Sequence, residues 1–215
     1  MLKLYDYFRS SAAYRARIAL NLKGLEYDSI PVHLTRGGGE QFGSDYSAVN
    51  PQHLVPALVD GDLTVNQSMA IIEYLDEVYP DPAILPRDAA GRAHVRALAQ
   101  IVACDIHPVN NLRIRKYIVE ELGCSEDQRD TWMRHWITKG FEAYEAFLAA
   151  QPNRGRFSYG DTPSMADICL IPQIFNARAA KADLDPFPLI RAVDEACQAL
   201  PAFQNAHPSK QPDSE

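Results

Sequence analysis

With 215 residues, the chain is long enough for one large domain or two small ones, and either can bury a core. Hydrophobic residues make up 47% and charged residues 23%, which is ordinary for a globular protein. The net charge of −7 and the pI near 5.4 argue against nucleic acid and anionic membranes as partners, and we expect neither.

Signals for targeting, membrane insertion and metal binding are missing from the sequence. Met1 leads directly into "LKLYDYF", without the charged and apolar regions of a signal segment. No apolar run approaches the ~18 residues that a membrane span requires. The four cysteines and six histidines are scattered, which fits neither a disulfide framework nor a metal site. We therefore expect a cytoplasmic protein that holds no metal.

Strand and helix patterns alternate in the first part of the chain. "KLYDYF" alternates apolar and polar residues, which predicts a strand. "SSAAYRARIALNLKG" predicts a helix that serines open and Gly24 closes. A second strand is expected in "LEYDSIPVHL", where Pro31 indicates an edge or a bulge. The "RGGGEQ" loop and a polar segment without a predicted element follow.

A hairpin and a second helix complete this part. "LVPALVDGDLTVNQ" predicts two strands around Asp60-Gly61, which is a strong turn signal. Ser68 is expected to cap "SMAIIEYLDEVY", whose apolar residues recur at helical spacing.

Prolines separate this part from a helical one. Three prolines between residues 80 and 86 mark a linker. Beyond the linker, no stretch of the sequence predicts a strand. Ser164 and Asp167 have the spacing of a capping box, which predicts the start of a helix. Helices are expected over residues 88–121, 126–150, 164–181 and 187–199. We therefore predict an α/β domain over 1–79, a linker over 80–87 and an all-helical domain over 88–215.

The turn Arg9-Ser10-Ser11 lies where the first strand passes into the first helix. Serine at a helix start is a common N-cap, which by itself indicates only a structural role. A helix N-terminus also attracts anions through its free amides and its dipole. A thiolate held there by a serine hydroxyl would have a lowered pKa, so the turn is also a candidate thiol site.

Two further motifs allow a structural or a functional interpretation. Val55-Pro56 precedes a strand, and a cis bond there would turn the Val55 backbone toward a peptide-like ligand. Gln67-Ser68 opens another helix, where an amide and a hydroxyl could hold a carboxylate or simply cap the helix. Neither motif is specific when taken alone.

In this order, the "SS" helix, the "VP" hairpin, the "QS" helix and the helical region resemble the cytosolic glutathione transferases. The first helix, "SSAAYRARIALNLKGLEY", is similar to the SSCxxRVRIAL pattern of the zeta class. The resemblance continues through "GGGEQF", "VNPQHLVPAL", "QSMAIIEYL", "DIHPVNNLR" and "GDTPSMADICLIPQ", over nearly the whole chain. Maleylacetoacetate isomerases and maleylpyruvate isomerases belong to this class.

The resemblance implies a thioredoxin-like first domain that binds glutathione, with Pro56 in cis. Ser10 and Ser11 would lie near the sulfur, and the residues do not rank the two. Val55 would pair with the cysteinyl backbone of glutathione. Gln67 and Ser68 would hold the γ-glutamyl end of glutathione, and Gln41 would lie near its glycyl end; Arg15 is a further candidate for a ligand contact. The residues of the helical domain that would close over the ligand are His107, Asn111, Leu112 and Arg113. For Arg15 and His107, a structural role and a ligand contact are equally open.

The resemblance also implies a reaction, the cis–trans isomerisation of a maleyl dicarboxylic acid in aromatic compound catabolism. Glutathione thiolate would add to the double bond and leave again after rotation. A dicarboxylate substrate needs cations around it, and Arg9 and Arg113 are the candidates. The family further implies a homodimer.

Two positions depart from the family pattern. Ala12 stands where many zeta-class proteins carry cysteine, so the sulfur must come from glutathione. Ala179 stands where related isomerases commonly carry arginine, and Arg178 next to it would point about 100° away on a helix. Whether Arg178 compensates is open at this stage.

Two other functions compete with the isomerase. One is a general glutathione transferase that acts on small electrophiles such as α-halo acids. The other is a non-catalytic binding protein that keeps the fold, although such a protein would have no need for these serines and Gln67 together. The sequence does not decide which maleyl acid is the natural substrate.

Overall fold

The computed structural model describes residues 1–151 and 154–215, and these residues form two compact units. Unit 1 comprises Met1–Ile84 and Ala199–Glu215, and unit 2 comprises Leu85–Gln198. The boundary between Ile84 and Leu85 lies within the proline-rich segment that the sequence marks as a linker.

Unit 1 is built on a sheet whose strands, within the described residues, lie in the order β2-β1-β3-β4. Its strands are β1 (Leu2–Asp6), β2 (Tyr27–Pro31), β3 (Ala57–Asp60) and β4 (Leu63–Asn66). β1 pairs with β2 in parallel and with β3 antiparallel, and β3 pairs antiparallel with β4. β2 is an edge strand that ends at Pro31, which confirms the position expected for this proline.

Three helices of unit 1 are α1 (Ser11–Leu22), α2 (Ser44–Val49) and α3 (Ser68–Val78). α1 ends as predicted, because Gly24 adopts a left-handed φ of 64° just past Lys23. Lys23 also ties the end of α1 to the segment after α3. Its Nζ donates to Asp76 Oδ1 at 2.7 Å and to the carbonyl oxygens of Tyr79 and Pro82 at 2.7 and 2.6 Å.

Two sequence expectations in unit 1 need correction. The two-residue hairpin loop is Gly61-Asp62 rather than Asp60-Gly61, because Asp60 is still paired with Leu63 and the loop begins at Gly61, whose φ is 58°. The polar segment after the glycine loop contains the short helix α2, whose few apolar residues gave no periodic signal.

A buried ion pair joins β1 to α1. The side chains of Arg17 and Asp6 are 0% and 1% exposed, and Arg17 Nη1 donates to both carboxylate oxygens at 2.6 and 2.9 Å. Arg17 Nη2 donates to the Phe8 carbonyl at 3.1 Å, and Asp6 Oδ1 accepts the Tyr7 N–H at 2.7 Å. Since a buried charge is costly unless it is fully paired, this network fixes the turn between β1 and α1.

Unit 2 is helical, and its described residues contain no strand. Its helices are α4 (Ala89–Gln100), α5 (His107–Asn110), α6 (Leu112–Glu120), α7 (Glu126–Ala149), α8 (Met165–Ala179) and α9 (Pro188–Gln198). The expectation of a single helix over residues 88–121 is wrong. A π-helical segment, Ile101–Ile106, precedes Pro108, which cannot donate a backbone hydrogen bond, and Asn111 is extended with a ψ of 168°.

The capping box at the start of α8 is confirmed and anchors the core of unit 2. Asp167 is fully buried and accepts the N–H groups of Ser158 and Ser164, both at 2.8 Å. Tyr144 donates its hydroxyl to Ser158 Oγ at 2.9 Å. Burial raises the pKa of Tyr144 well above its usual value, so its hydroxyl remains a donor.

Residues 199–215, which we expected in the helical domain, pack within unit 1. They include α10 (Pro201–Ala206), which lies against α1. Asn21 Nδ2 donates to the Ala202 carbonyl at 3.0 Å, and Arg17 Nε donates to the Ala206 carbonyl at 3.0 Å. The partners of this segment lie far away in the sequence, so its polar composition gave no sign of them.

We expect Arg17→Met to lower the free energy of unfolding by about 3–5 kcal/mol, because it leaves the Asp6 carboxylate buried without its cation. Urea unfolding measures the change. The control is Lys139→Met, which breaks an ion pair with Glu142 whose side chains are 57% and 50% exposed. The control should cost no more than about 1 kcal/mol. Equal losses in the two variants would contradict the role given to Arg17.

Candidate active site

The sheet register brings four loops of unit 1 to one edge of the sheet. Tyr5 pairs with Ala57 and Ala57 pairs with Asn66, so the end of β1, the start of β3 and the end of β4 are neighbours. Asp6 pairs with Pro31, so β2 also ends there. The sequence motifs that meet this edge are Arg9–Ser11, the glycine loop 37–41, Val55-Pro56 and Gln67-Ser68.

The turn after β1 places two serines at the start of α1. Ser10 is the N-cap, and its Oγ accepts the Ala13 N–H at 3.2 Å. The capping role of Ser10 is therefore real, and it leaves the hydroxyl hydrogen available for donation. Ser11 is the first residue of the helix and is buried, whereas Arg9 is exposed.

Tyr7 precedes this turn, and burial raises the pKa of its hydroxyl above the usual value. The group therefore stays protonated at neutral pH and cannot act as a base. Hydroxyl groups of this turn can stabilise a thiolate only by donating a hydrogen bond, and the serines at the start of α1 can do so together with the helix amides.

α1 and α3 both begin at the same sheet edge, and neither has an acidic residue in its first turn. Their positive dipole ends are therefore not compensated by the chain itself. Ser68, the first residue of α3, is buried and accepts a hydrogen bond from Arg15 Nη1 at 3.4 Å. Arg15 is only 2% exposed, so the structure brings these two predicted site residues together beneath the surface.

Gln67, rather than Ser68, is the N-cap of α3, and its backbone is strained. Its φ of 73° lies in the left-handed region that residues other than glycine rarely adopt. Its side chain donates to Gln52 Oε1 at 2.7 Å. Strained residues cluster at functional sites, so this conformation supports a functional interpretation of the "QS" motif.

The Val55-Pro56 bond is cis, as the resemblance implies. Val55 is buried in a small cluster with Val32 and Tyr46. The preceding carbonyl, that of Leu54, accepts the Tyr46 hydroxyl and, at 2.7 Å, Asn50 Nδ2. Burial raises the pKa of Tyr46 to about 12, so it remains a donor and holds this segment in place.

The glycine loop supports a buried glutamine. Gly39 has a φ of 113°, and a Cβ on it would lie 2.6 Å from Gln41 Nε2, so only glycine fits there. Gln41 Nε2 donates to the Leu34 carbonyl at 3.3 Å, and the Gln41 carbonyl is 2.9 Å from His53 Nδ1. The side-chain oxygen of Gln41, Oε1, is buried without a hydrogen-bond partner among the described residues. An acceptor left in this way suits a ligand that brings an N–H group.

The predicted site residues of unit 2 lie around α5 and α6. His107 begins α5, and Asn111 caps α6 by accepting the Ile114 N–H on its Oδ1 at 3.2 Å. Leu112 is half-buried and Arg113 is exposed. Asn111 thus has a structural role that the sequence did not reveal.

Arg178 is already engaged by the protein itself. Its guanidinium forms an ion pair with Asp194, which is 5% exposed. The cation next to Ala179 therefore pairs with a buried carboxylate on α9.

The part of the chain that the structure describes shows neither a metal-binding cluster nor a membrane-spanning helix. Within it, no three histidine, cysteine, aspartate or glutamate side chains come together in a way that could hold a metal ion. No described helix combines the length and the apolar character needed to cross a bilayer.

Two protein-family models match the chain. The model of the glutathione S-transferase N-terminal domain matches residues 1–77, and that of the C-terminal domain matches residues 128–203. The chain is also 54% identical, over 213 residues, to a maleylpyruvate isomerase from a Ralstonia species. That alignment covers 99% of this chain and 100% of the relative.

Solved structures of two isomerases also match the chain over nearly its full length. The holo structure of a maleyl pyruvate isomerase, described as a bacterial glutathione S-transferase of the zeta class, matches with a TM-score of 0.96 and 54% identity, over 99% of this chain and 100% of that one. A maleylacetoacetate isomerase from Anaeromyxobacter dehalogenans 2CP-1, with dicarboxyethyl glutathione and citrate bound in its active site, matches with a TM-score of 0.87 and 41% identity. The latter match covers 100% of this chain and 98% of that one.

Proposed function

Because the chain belongs to the zeta class of the glutathione transferase family, we propose that it is a glutathione-dependent cis–trans isomerase of a maleyl dicarboxylic acid. Maleylacetoacetate, which would yield fumarylacetoacetate, is the first candidate substrate and maleylpyruvate the second. The observation that carries the proposal is that two helix N-termini without acidic residues and the Val55-Pro56 segment lie at one edge of the sheet. Such a surface favours a peptide-like ligand with anionic groups.

The groups at this edge fit glutathione. We assign Ser10 and Ser11 to the sulfur and the backbone of Val55, before Pro56, to the cysteinyl unit. The γ-glutamyl end carries a carboxylate, which suits the start of α3 at Gln67 and Ser68. Since Arg15 is buried and donates to Ser68, it positions that hydroxyl and adds a positive charge beneath it.

Further assignments concern Gln41 and the helical segment of unit 2. The buried, unpartnered Oε1 of Gln41 suits an N–H donor such as the amide of the glycyl unit. For unit 2, we propose that His107, Asn111, Leu112 and Arg113 contribute to ligand binding. Their support is the resemblance of "DIHPVNNLR" to the family, together with the exposure of Arg113.

Bound glutathione supplies a thiolate that can add to the cis double bond and leave again once the bond has rotated. The chain itself must keep the sulfur ionised and neutralise the charge that develops on the substrate. The uncompensated N-terminus of α1 and a serine hydroxyl perform the first task by favouring the anion. Exposed arginines perform the second, since a guanidinium can grip a carboxylate with two hydrogen bonds.

The bound ligand of the Anaeromyxobacter dehalogenans structure supports this chemistry. Dicarboxyethyl glutathione is named as a compound of glutathione with a dicarboxylic acid, which is the pairing that the proposed reaction requires. A general glutathione transferase acting on α-halo acids remains the alternative enzyme, and a non-catalytic glutathione-binding protein the alternative from another class.

We also propose that the protein is a cytoplasmic homodimer that acts in aromatic compound catabolism. The four cysteines are free thiols, which fits a reducing compartment. The dimer rests on the family resemblance, and light scattering that gives the 24.0 kDa of one chain at micromolar concentration would contradict it.

The function is tested by assaying maleylacetoacetate and maleylpyruvate with and without a trace of glutathione. We expect turnover of at least one acid to its trans isomer, with no net consumption of glutathione. Consumption of glutathione with an α-halo acid, and no isomerisation, would favour the general transferase. Binding of glutathione without any turnover would favour the non-catalytic protein.

We expect the serine that contacts the sulfur to lower the pKa of the bound thiol. Losing one charge-assisted hydrogen bond costs ~1.5–3 kcal/mol, so alanine at that position should raise the thiol pKa by about one to two. Ultraviolet titration of the thiolate in Ser10→Ala and Ser11→Ala measures this. Ser10→Gly is the control for folding, because glycine is tolerated at an N-cap at small cost and has no side-chain donor. If no variant changes the thiol pKa, the helix amides alone activate the sulfur.

We expect Arg9→Lys and Arg113→Lys each to reduce turnover of the maleyl acid with little loss of glutathione affinity. The more important arginine should contribute roughly 2–4 kcal/mol of transition-state stabilisation, as an oxyanion donor does. Because Ala179 removes a cation that relatives carry, Ala179→Arg should tighten substrate binding. Arg191→Lys, an exposed arginine paired with Asp185, is the matched control. Unchanged rates in both Arg9→Lys and Arg113→Lys would mean that other groups hold the acid.

A further inference from the structure

The last residues of unit 1 form a strap, Gln211–Glu215, that reaches two loops of the proposed glutathione site. Gln211 anchors it, because its Nε2 donates to the carbonyl oxygens of Asn205 and His207 at 3.0 and 2.9 Å. Gln211 is 9% exposed, so the anchor is buried. The strap then carries two carboxylates, Asp213 and Glu215, back to the sheet edge where the site lies.

Asp213 binds the turn that precedes the catalytic serines. Its Oδ2 accepts the Phe8 N–H at 3.0 Å. The neighbouring carbonyl groups are satisfied locally, since the Phe8 carbonyl accepts from Arg17 and the Tyr7 carbonyl accepts the Ser10 N–H at 2.9 Å. Phe8 is buried, so its N–H depends on a partner that the turn does not provide. Asp213 is that partner.

Glu215 binds the loop that leads to Gln41. Its Oε1 lies 2.7 Å from Arg36 Nη2 and 3.3 Å from His33 Nε2. Within this loop, His33 Nδ1 accepts the Arg36 N–H at 2.8 Å. The two loops also touch directly, because the Tyr7 ring packs edge-on against His33 with centroids 4.9 Å apart.

We propose that the strap is a positioning element of the glutathione site, in which Asp213 sets the turn that carries Ser10 and Glu215 secures the neighbouring loop. The proposal rests on the proposed function, since it concerns the same site. Asp213 contributes more than Glu215. A carboxylate that accepts a buried N–H is hard to replace, whereas the side chains of Glu215 and Arg36 are 59% and 62% exposed and such pairs contribute little.

The test is glutathione affinity measured by calorimetry on the full chain, together with isomerase kinetics. Asp213→Ala should weaken glutathione binding about fivefold, the ratio that corresponds to ~1 kcal/mol of lost hydrogen bonding. Turnover at saturating glutathione should stay near the wild-type value. Asp213→Asn should restore affinity to within about twofold, because its amide oxygen still accepts the Phe8 N–H. Glu215→Gln should weaken binding less than Asp213→Ala does, and the control Ser214→Ala should bind as the wild type does.

Three results would overturn the proposal. The first is normal glutathione binding by a folded Asp213→Ala, and the second is equal weakening by Asp213→Ala and Asp213→Asn, which would indicate charge rather than a hydrogen bond. The third comes from the wild type alone, so it decides even if Asp213→Ala fails to fold. Because coupling is reciprocal, glutathione must slow amide hydrogen exchange at residues 211–215, and no slowing would exclude the strap. A wild type that does not bind glutathione would remove the proposed function as well.

Discussion

The site of unit 1 depends on one interaction, the buried ion pair between Arg17 and Asp6. Burying such a pair costs free energy, and the protein offsets that cost because Nε, Nη1 and Nη2 of Arg17 each donate a hydrogen bond. The guanidinium reaches the end of β1, the Phe8 carbonyl and the Ala206 carbonyl, so a single side chain joins the strand, the turn and the returning C-terminal segment. If this cation were absent, the turn that starts α1 would lose its fixed geometry, and the serines would lose their place at the sheet edge.

The remaining features of the site follow from the register of the sheet. With that edge fixed, α1 and α3 begin side by side, and neither neutralises its own positive end. A protein with a net charge of −7 thereby gains a local region that attracts anions. The buried Arg15 adds a positive charge beneath this region, and Gln67 at the start of α3 has a strained backbone, as residues at functional sites often do.

Much of the fold and part of the site could be predicted from the sequence, because the relevant signals are local. Helix caps at Ser10 and Ser164, the C′ glycine at Gly24 and the edge position of Pro31 follow from neighbouring residues. The break of the helix at Asn111, after Pro108, was missed, since the apolar spacing continues through it. The role of Asp213 could not be predicted either, because it binds a residue 205 positions away in the sequence. The ion pair between Arg178 and Asp194 could not be predicted, because its two residues lie 16 positions apart on different helices.

We infer that this edge of the sheet holds glutathione as a thiolate. Calorimetric titration with glutathione in buffers of different ionisation enthalpy counts the protons released on binding. If the N-terminus of α1 and a serine stabilise the anion, about one proton should leave per bound glutathione near neutral pH. Tight binding without proton release would contradict the account, because the sulfur would then remain a thiol and the proposed chemistry could not begin.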